Sequence, residues 1–336
     1  MMLKSILVTG GAGYIGSHIA RYLSLNGWQV IVLDNLLHGQ KFTHEWAMFV
    51  KGDINNSRLL NQLFTQHKIQ YVVHSAIATH IDQSLTDPLL TYRNNIGGSI
   101  ALLDNMHKHN TKGLIFLSSI AIHGKPLVLP IQENHPINPL TPYAQSLSHI
   151  EQIIRDAHQA YKLPYVILRP TNAAGAIAQH NLYESHNPET HLIPRLLHAM
   201  HTEKPLYIYG NTHATPDGSS VRDFLHVWDI ADATHRAIIH LDKQLTSETF
   251  VLGTGTTYSV KQIITQAEQL YKKPIRTLIA PARAHEPPIL VVDPTHAYTV
   301  LGWRPIYSQI PFILQSTYAA LNQQKETKQY PLLNYL

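Results

Sequence analysis

Thr9-Gly10-Gly11-Ala12-Gly13-Tyr14-Ile15-Gly16 decides how this chain is read. It follows an apolar run, residues 5–9, that reads as a strand, and it opens an amphipathic pattern over residues 14–25 that reads as a helix. Glycines at 10, 13 and 16 permit a tight turn, close approach of backbone N–H groups to a pyrophosphate, and close packing of helix on strand. The helix N-terminus adds a favourable field for the anion. A glycine-rich turn alone is a weak signal. Here strand, turn and helix come in the required order, and Asp34 closes the next apolar run at the spacing of a ribose-binding acid. Gly10, Gly13, Tyr14, Ile15, Gly16 and Asp34 therefore predict a dinucleotide site. A carboxylate at 34 accepts from ribose hydroxyls and repels a 2′-phosphate, which favours NAD over NADP.

Outward from this turn, short runs at residues 29–33, 71–74, 113–117 and 165–168 are rich in Val, Ile and Leu with little alternation, as strands buried on both faces are. Helical patterns lie between them, residues 88–109 and 142–161 being the longest. Strand and helix alternating over the first half predict an α/β, doubly wound parallel sheet with right-handed crossovers. After Arg169-Pro170 the rhythm changes, and residues 172–228 are richer in turns, Pro and polar side chains. A helix over 229–241 and a strand over 250–252 are expected to rejoin the first sheet. The expected organisation is a nucleotide-binding domain over 1–171 plus about 229–256, and a smaller α/β substrate lobe over 172–228 plus about 257–336.

Composition narrows the function. The 336 residues are 44% hydrophobic and 14% charged, which argues against long disordered tails and coiled coil. The net charge of +4 is spread out, the densest basic stretch being Lys272-Lys273-Pro274-Ile275-Arg276, so no nucleic-acid footprint appears. With no cysteine, disulfides, thiolate metal sites and cysteine nucleophiles are excluded, and a reducing compartment is suited. No apolar stretch approaches the roughly 20 residues needed to span a bilayer, and residues 1–9 lack the core and cleavage site of a signal peptide. A cytoplasmic protein is expected. The 23 histidines are scattered, without a His-Glu-x-x-His pattern, and read as surface or core residues rather than as metal ligands.

Downstream of the glycine turn come Ser118-Ser119, Pro142-Tyr143 and Arg169-Pro170-Thr171-Asn172. With these the sequence resembles the extended short-chain dehydrogenase/reductase superfamily, and within it the UDP-glucose (UDP-galactose) 4-epimerases. The likeness runs from about residue 3 to 320. The resemblance places NAD on the glycine turn, on Asp34 and Asn35, on Asp53 and Ile54, on Ala76, and beside Asn94 and Tyr143. It makes Tyr143 and Ser119 the catalytic positions. It assigns the UDP diphosphate and ribose to Asn172, Arg222 and Arg283, with Glu286 at a family Asp position. His191 and Leu192 would face the nucleotide and Tyr209 the uracil. It implies that a Tyr143 phenolate takes the proton of the sugar's 4-hydroxyl while the C4 hydrogen passes to NAD. The keto sugar then turns over and the hydrogen returns to its other face, Ser119 holding the C4 oxygen throughout. A homodimer through helices 88–109 and 142–161 is also implied.

Two departures bear on activity. The superfamily's Tyr-x-x-x-Lys reads Tyr143-Ala144-Gln145-Ser146-Leu147, and a second family lysine falls at Thr79. A cation beside a phenol lowers its pKa by about 1 to 3 units, so attenuated turnover is expected. His80 and His123 are the neighbouring side chains that could stand in. Sugar-nucleotide dehydratases and decarboxylases carry an acid just after the catalytic hydroxyl, whereas Ser119-Ile120-Ala121-Ile122-His123 has none. Leu290 falls where epimerases that exclude N-acetylhexosamines carry a bulky aromatic, so UDP-N-acetylhexosamines are expected to fit beside UDP-hexoses. The rival readings are a weak or inactive NAD- and UDP-sugar-binding protein with a regulatory or scaffold role, and an oxidoreductase that releases reduced cofactor.

Overall fold

The computed structural model describes residues 4–329 other than 38, 40–45, 187, 245 and 285, with side chains to residue 323. Strand β1 (Ser5–Thr9) turns through the glycines into α1 (Tyr14–Leu25) and β2 (Gln29–Asp34), followed by β3 (Met48–Lys51), α2 (Ser57–His67) and β4 (Tyr71–His74). A short α3 (Ile81–Thr86) precedes a long helix. This begins as α4 (Pro88–Tyr92), widens into a π turn at Arg93–Gly97 and continues as α5 (Gly98–Lys108). Then come β5 (Gly113–Leu117), α6 (Pro142–Tyr161) and β6 (Tyr165–Pro170). Beyond them lie β7 (Asn172–Ala174), α7 (Leu192–Thr202), β8 (Leu206–Tyr209), β9 (Val221–Arg222) and β10 (Phe224–His226). Helix α8 (Val227–Gln244) and β11 (Glu248–Leu252) return to the sheet. The chain ends in β12 (Tyr258–Ser259), α9 (Val260–Tyr271), β13 (Thr277–Ala280), β14 (Ile289–Leu290), α10 (Thr295–Val300) and α11 (Ile310–Gln329).

Seven strands form one parallel sheet in the order β11-β6-β5-β4-β1-β2-β3. Alternate residues of β1 feed opposite faces, as the period of a strand requires. Ile6 and Val8 join Ile19, Leu23 and Ile230 under α1 and α8, while Leu7 joins Leu60, Leu102, Leu147 and Ile150 under α2, α5 and α6. The chain leaves β1 toward one face and β4 toward the other, so the crevice between their carboxyl ends is the topological switch point where such sheets bind ligands. A third cluster of apolar side chains, with Leu196, Ile208, Ile263 and Ile313, forms the core of the remaining part of the chain.

The doubly wound sheet expected from the apolar runs is present, with α8 and β11 rejoining it. Two details differ. Residues 88–109 are not one uniform α-helix: the backbone widens into the π turn where the Asn95 side chain donates to Ser146 Oγ and accepts from the Ala78 N–H. Ala297, Leu301 and Trp303, which the sequence reading assigns to the lobe, pack into the core of the large sheet instead. Trp303 Nε1 donates to the Asp229 carbonyl, and the Asp229 carboxylate accepts from the Ile306 and Tyr307 amides. Residues 1–3 and 330–336 of the expected domains lie outside the described residues. No helix of the described residues is long and apolar enough to cross a membrane.

The histidines make the fold acid-sensitive. His18, His74, His123 and His226 are at most 1% exposed. Burial lowers their pKa values from 6.5 to about 4, 3, 4 and 3 respectively. The unfolded chain therefore binds protons first, so stability held above pH 6.5 is lost as pH falls toward the folded values. Each imidazole contributes about 1.4 kcal/mol per pH unit in that window, or about 5.6 kcal/mol per pH unit for the four. Urea denaturation between pH 8 and pH 5 should show that steep loss. A flat profile below pH 6.5 would contradict the buried neutral imidazoles.

Candidate active site

The glycine turn is as tight as its sequence requires. Gly10 has φ +69°, and a Cβ there would lie 2.7 Å from the Ala76 backbone. A Cβ on Gly16 would lie 2.2 Å from the Gly10 carbonyl oxygen, so α1 leans on the turn in a way no side chain permits. Helix α1 opens at Gly13 with no side-chain cap, which leaves the amides of its first turn for an anion. Asp34 closes β2 and is fixed by the same segment, accepting from the Ala12 and Leu36 amides at 3.0 and 2.8 Å. Each of its oxygens keeps a lone pair for a ribose hydroxyl. Asn35 donates to Asp53 at 3.1 Å. Burial works against the Asp53 charge, but the donors of Asn55 and Asn35 outweigh it and hold the carboxyl below its usual range. Ile54 packs where a Cβ on Gly98 would collide with it. These residues fit the phosphates and adenosine of a dinucleotide.

A cavity of about 730 Å³ opens from this turn into the lobe. Helix α6 brings Tyr143 to it, because Thr141 caps the helix by accepting from the Ala144 amide and Pro142 sets the first helical turn. Ser119, just beyond β5, lines the same cavity. Burial pushes the Tyr143 phenol up to about 12, the Ser119 hydroxyl offsetting part of that rise. The adjacent serine is engaged elsewhere. Ser118 donates to Glu151, whose buried carboxylate also takes a two-pronged bond from Arg169 at 2.9 and 2.6 Å. Leu147, one turn below Tyr143, is 1% exposed in the apolar core with Ile150 and Ile154. Of the two expected stand-ins, His123 does not supply the cation. His123 is held neutral under the site, its Nδ1 on the Pro136 carbonyl. His80 lines the cavity with its ring 5.8 Å from that of His186.

The far wall is basic and aromatic. Glu286 sits between two arginines, 2.9 Å from Arg283 and 3.8 Å from Arg222. Arg283 lies over the Tyr209 ring at 4.0 Å, and Arg222 is anchored by the Val221 and Pro288 carbonyls. Asn172, His191, Leu192, Tyr209, Arg222, Arg283, Glu286 and Leu290 all line the cavity, as do Ser119, Tyr143 and Thr79. Asp34, Asn35, Asp53, Ile54 and Ala76 surround the turn outside the cavity itself, and half-buried Asn94 lies in the π turn. Glu184, His186 and Glu189, which no sequence motif singled out, are gathered with His191 by the loop before α7, and Glu184, His186 and His191 line the cavity. Four donors in eight residues, Glu184-x-His186-x-x-Glu189-x-His191, were the available signal.

A tyrosine and a serine facing a glycine turn across a dinucleotide crevice, under a lobe that presents two arginines, define an extended short-chain dehydrogenase/reductase. The description "NAD dependent epimerase/dehydratase family" matches residues 6–253, and the chain belongs to that family. It is 41% identical over 323 residues to the UDP-glucose 4-epimerase of Halalkalibacterium halodurans, with 96% of each chain covered. It is 39% identical over 316 residues to that of Lacticaseibacillus casei, covering 94% of this chain and 96% of the other. The crystal structure of UDP-glucose 4-epimerase from Brucella ovis in complex with NAD superposes with a TM-score of 0.90 at 37% identity, covering 94% and 97% of the two chains.

The turn should tolerate no side chain at its closest approach. Gly16→Ala is expected to destabilise the fold by about 1 to 3 kcal/mol and to weaken NAD binding. Urea denaturation and calorimetry with NAD check both, and unchanged values would mean that the turn is looser than described.

Proposed function

We propose that this protein interconverts UDP-hexoses epimeric at C4, using NAD held on the glycine turn and Asp34. The observation that carries the reading is that Tyr143 and Ser119 line one cavity together with the dinucleotide turn and the Arg222–Glu286–Arg283 cluster. Bound NAD supplies the acceptor, and then the donor, for the hydrogen on C4. Tyr143 takes the proton of the 4-hydroxyl and later gives it back. Ser119 hydrogen-bonds the C4 oxygen in both directions. Asn172, Arg222, Arg283, Tyr209, His191 and Leu192 hold the UDP moiety, so the keto sugar turns over without leaving. The relatives' printed activities support this substrate class.

With the phenol near 12, only about one Tyr143 in 10⁵ is ionised at pH 7. The expected consequence is slow turnover that rises with pH. The burial of Leu147 also favours the second reading, a protein that binds NAD and UDP-sugar for a regulatory or scaffold role with little turnover. The assay is UDP-galactose to UDP-glucose conversion by wild type and Leu147→Lys across pH 6 to 10. Side chains on a helix lean toward its N-terminus, so an ammonium at 147 reaches back toward the phenol. The variant should lower the kinetic pKa by about 1 to 3 units and raise the rate at neutral pH by about 10- to 1,000-fold. Fast wild-type turnover unaffected by the lysine would overturn the attenuation. A wild type that binds both ligands but is inert, with activity gained in the variant, would support the second reading.

Leu290 at the cavity wall carries the selectivity reading. UDP-N-acetylhexosamines should be accepted with UDP-hexoses, and Leu290→Tyr should disfavour the N-acetyl forms by about tenfold or more. Competition binding checks it, and a wild type that already rejects the N-acetyl forms would sink it. We further propose a cytoplasmic homodimer through the outer faces of α4, α5 and α6, where Leu89 and Ile100 are exposed. Sedimentation of Leu89→Glu and Ile100→Glu tests this, a monomeric wild type being the contrary result.

A further inference from the structure

The loop that leads into α7 gathers more ligating chemistry than a nucleotide-sugar wall needs. Within eight residues it presents Glu184, His186, Glu189 and His191, with one ligand atom from each lying within 4.8 Å of all the others. Glu184 is buried, and the Nδ1 atoms of both histidines converge on its Oε1. His186 Nδ1 stands 3.2 Å from that oxygen and 3.8 Å from Glu189 Oε1. A tetrahedral cation with bonds of about 2.1 Å needs donors about 3.4 Å apart; the two His186 spacings bracket that value, while His191 Nδ1 is in direct contact with Glu184 and would move apart to admit the ion. His186 Nδ1 is shut off from solvent and makes no hydrogen bond of regular geometry, although two carboxylate oxygens lie 3.2 and 3.8 Å away.

We propose that Glu184, His186, Glu189 and His191 bind one divalent transition-metal cation, zinc by the mixed nitrogen and oxygen donor set. All four ligands come from one short segment, so the cation closes only a small loop. It thereby fixes the stretch that carries His191 and Leu192 at the cavity wall. The role is structural, and no reaction step passes through it.

The test uses the full chain, free of any histidine tag and stripped with chelator. Calorimetry with Zn²⁺, and visible absorption with Co²⁺, are read for wild type and for His186→Ala/Glu189→Gln. Wild type should bind one equivalent at about 1 μM or tighter and give the intense visible bands of tetrahedral cobalt. The double variant should bind at least about 100-fold more weakly. His186→Asn alone, closer in size, serves if the double variant does not fold, and it should lose the tetrahedral cobalt spectrum. Absence of a saturable site in wild type would overturn the proposal. So would equal binding by a folded variant, which would assign the metal to other histidines.

Discussion

Everything in this molecule hangs on the near-collision of Gly16 with the Gly10 carbonyl and of Gly10 with the Ala76 backbone. Because no Cβ intervenes, α1 starts close against the carboxyl ends of β1 and β4, and its uncapped amides open at the switch point of the sheet. The same segment orients Asp34 through the Ala12 and Leu36 amides. Binding a dinucleotide therefore asks for little rearrangement. The cradle is a consequence of how the first two strands and the first helix pack.

The catalytic pair depends on a second, buried constraint. Glu151 on α6 and Arg169 on β6 form a two-pronged ion pair, and Ser118 donates into the same carboxylate. Helix α6 is thus tied to the ends of β5 and β6, and with it Tyr143 to Ser119. Breaking a buried pair of this kind by removing one partner costs about 3 to 5 kcal/mol, because the other charge is left alone. At Leu147 the fold keeps the geometry of its family while an apolar side chain fills the place of a charge. Packing and electrostatics are decoupled at that position: Leu147 completes the core and carries no charge.

The sequence revealed most where one rule acted alone. Strands buried on both faces announce themselves as apolar runs, so the sheet was legible, and the strand–glycine–helix order located the dinucleotide cradle. Strand β3 was harder to see because its four residues are half exposed at the sheet's edge. The π turn was hidden because the bonds that accompany it, from Asn95 to Ala78 and Ser146, are tertiary contacts. The resemblance singled out Ser119, but the residues alone could not show that Ser118, which also lines the cavity, is engaged by Glu151, 33 residues further on. Nor did it reveal the donors around Glu184, where four ordinary surface-type residues converge only once the loop is folded.

The most direct test of the account is the fate of the hydrogen on C4. UDP-galactose deuterated at C4 would be incubated with the protein until UDP-glucose forms, and the product examined by NMR and mass spectrometry. A cofactor that stays bound while the sugar turns over in the cavity returns the same atom, so the deuterium should be kept at C4 of UDP-glucose. Loss of the label to solvent, or its appearance in free reduced cofactor, would contradict the account.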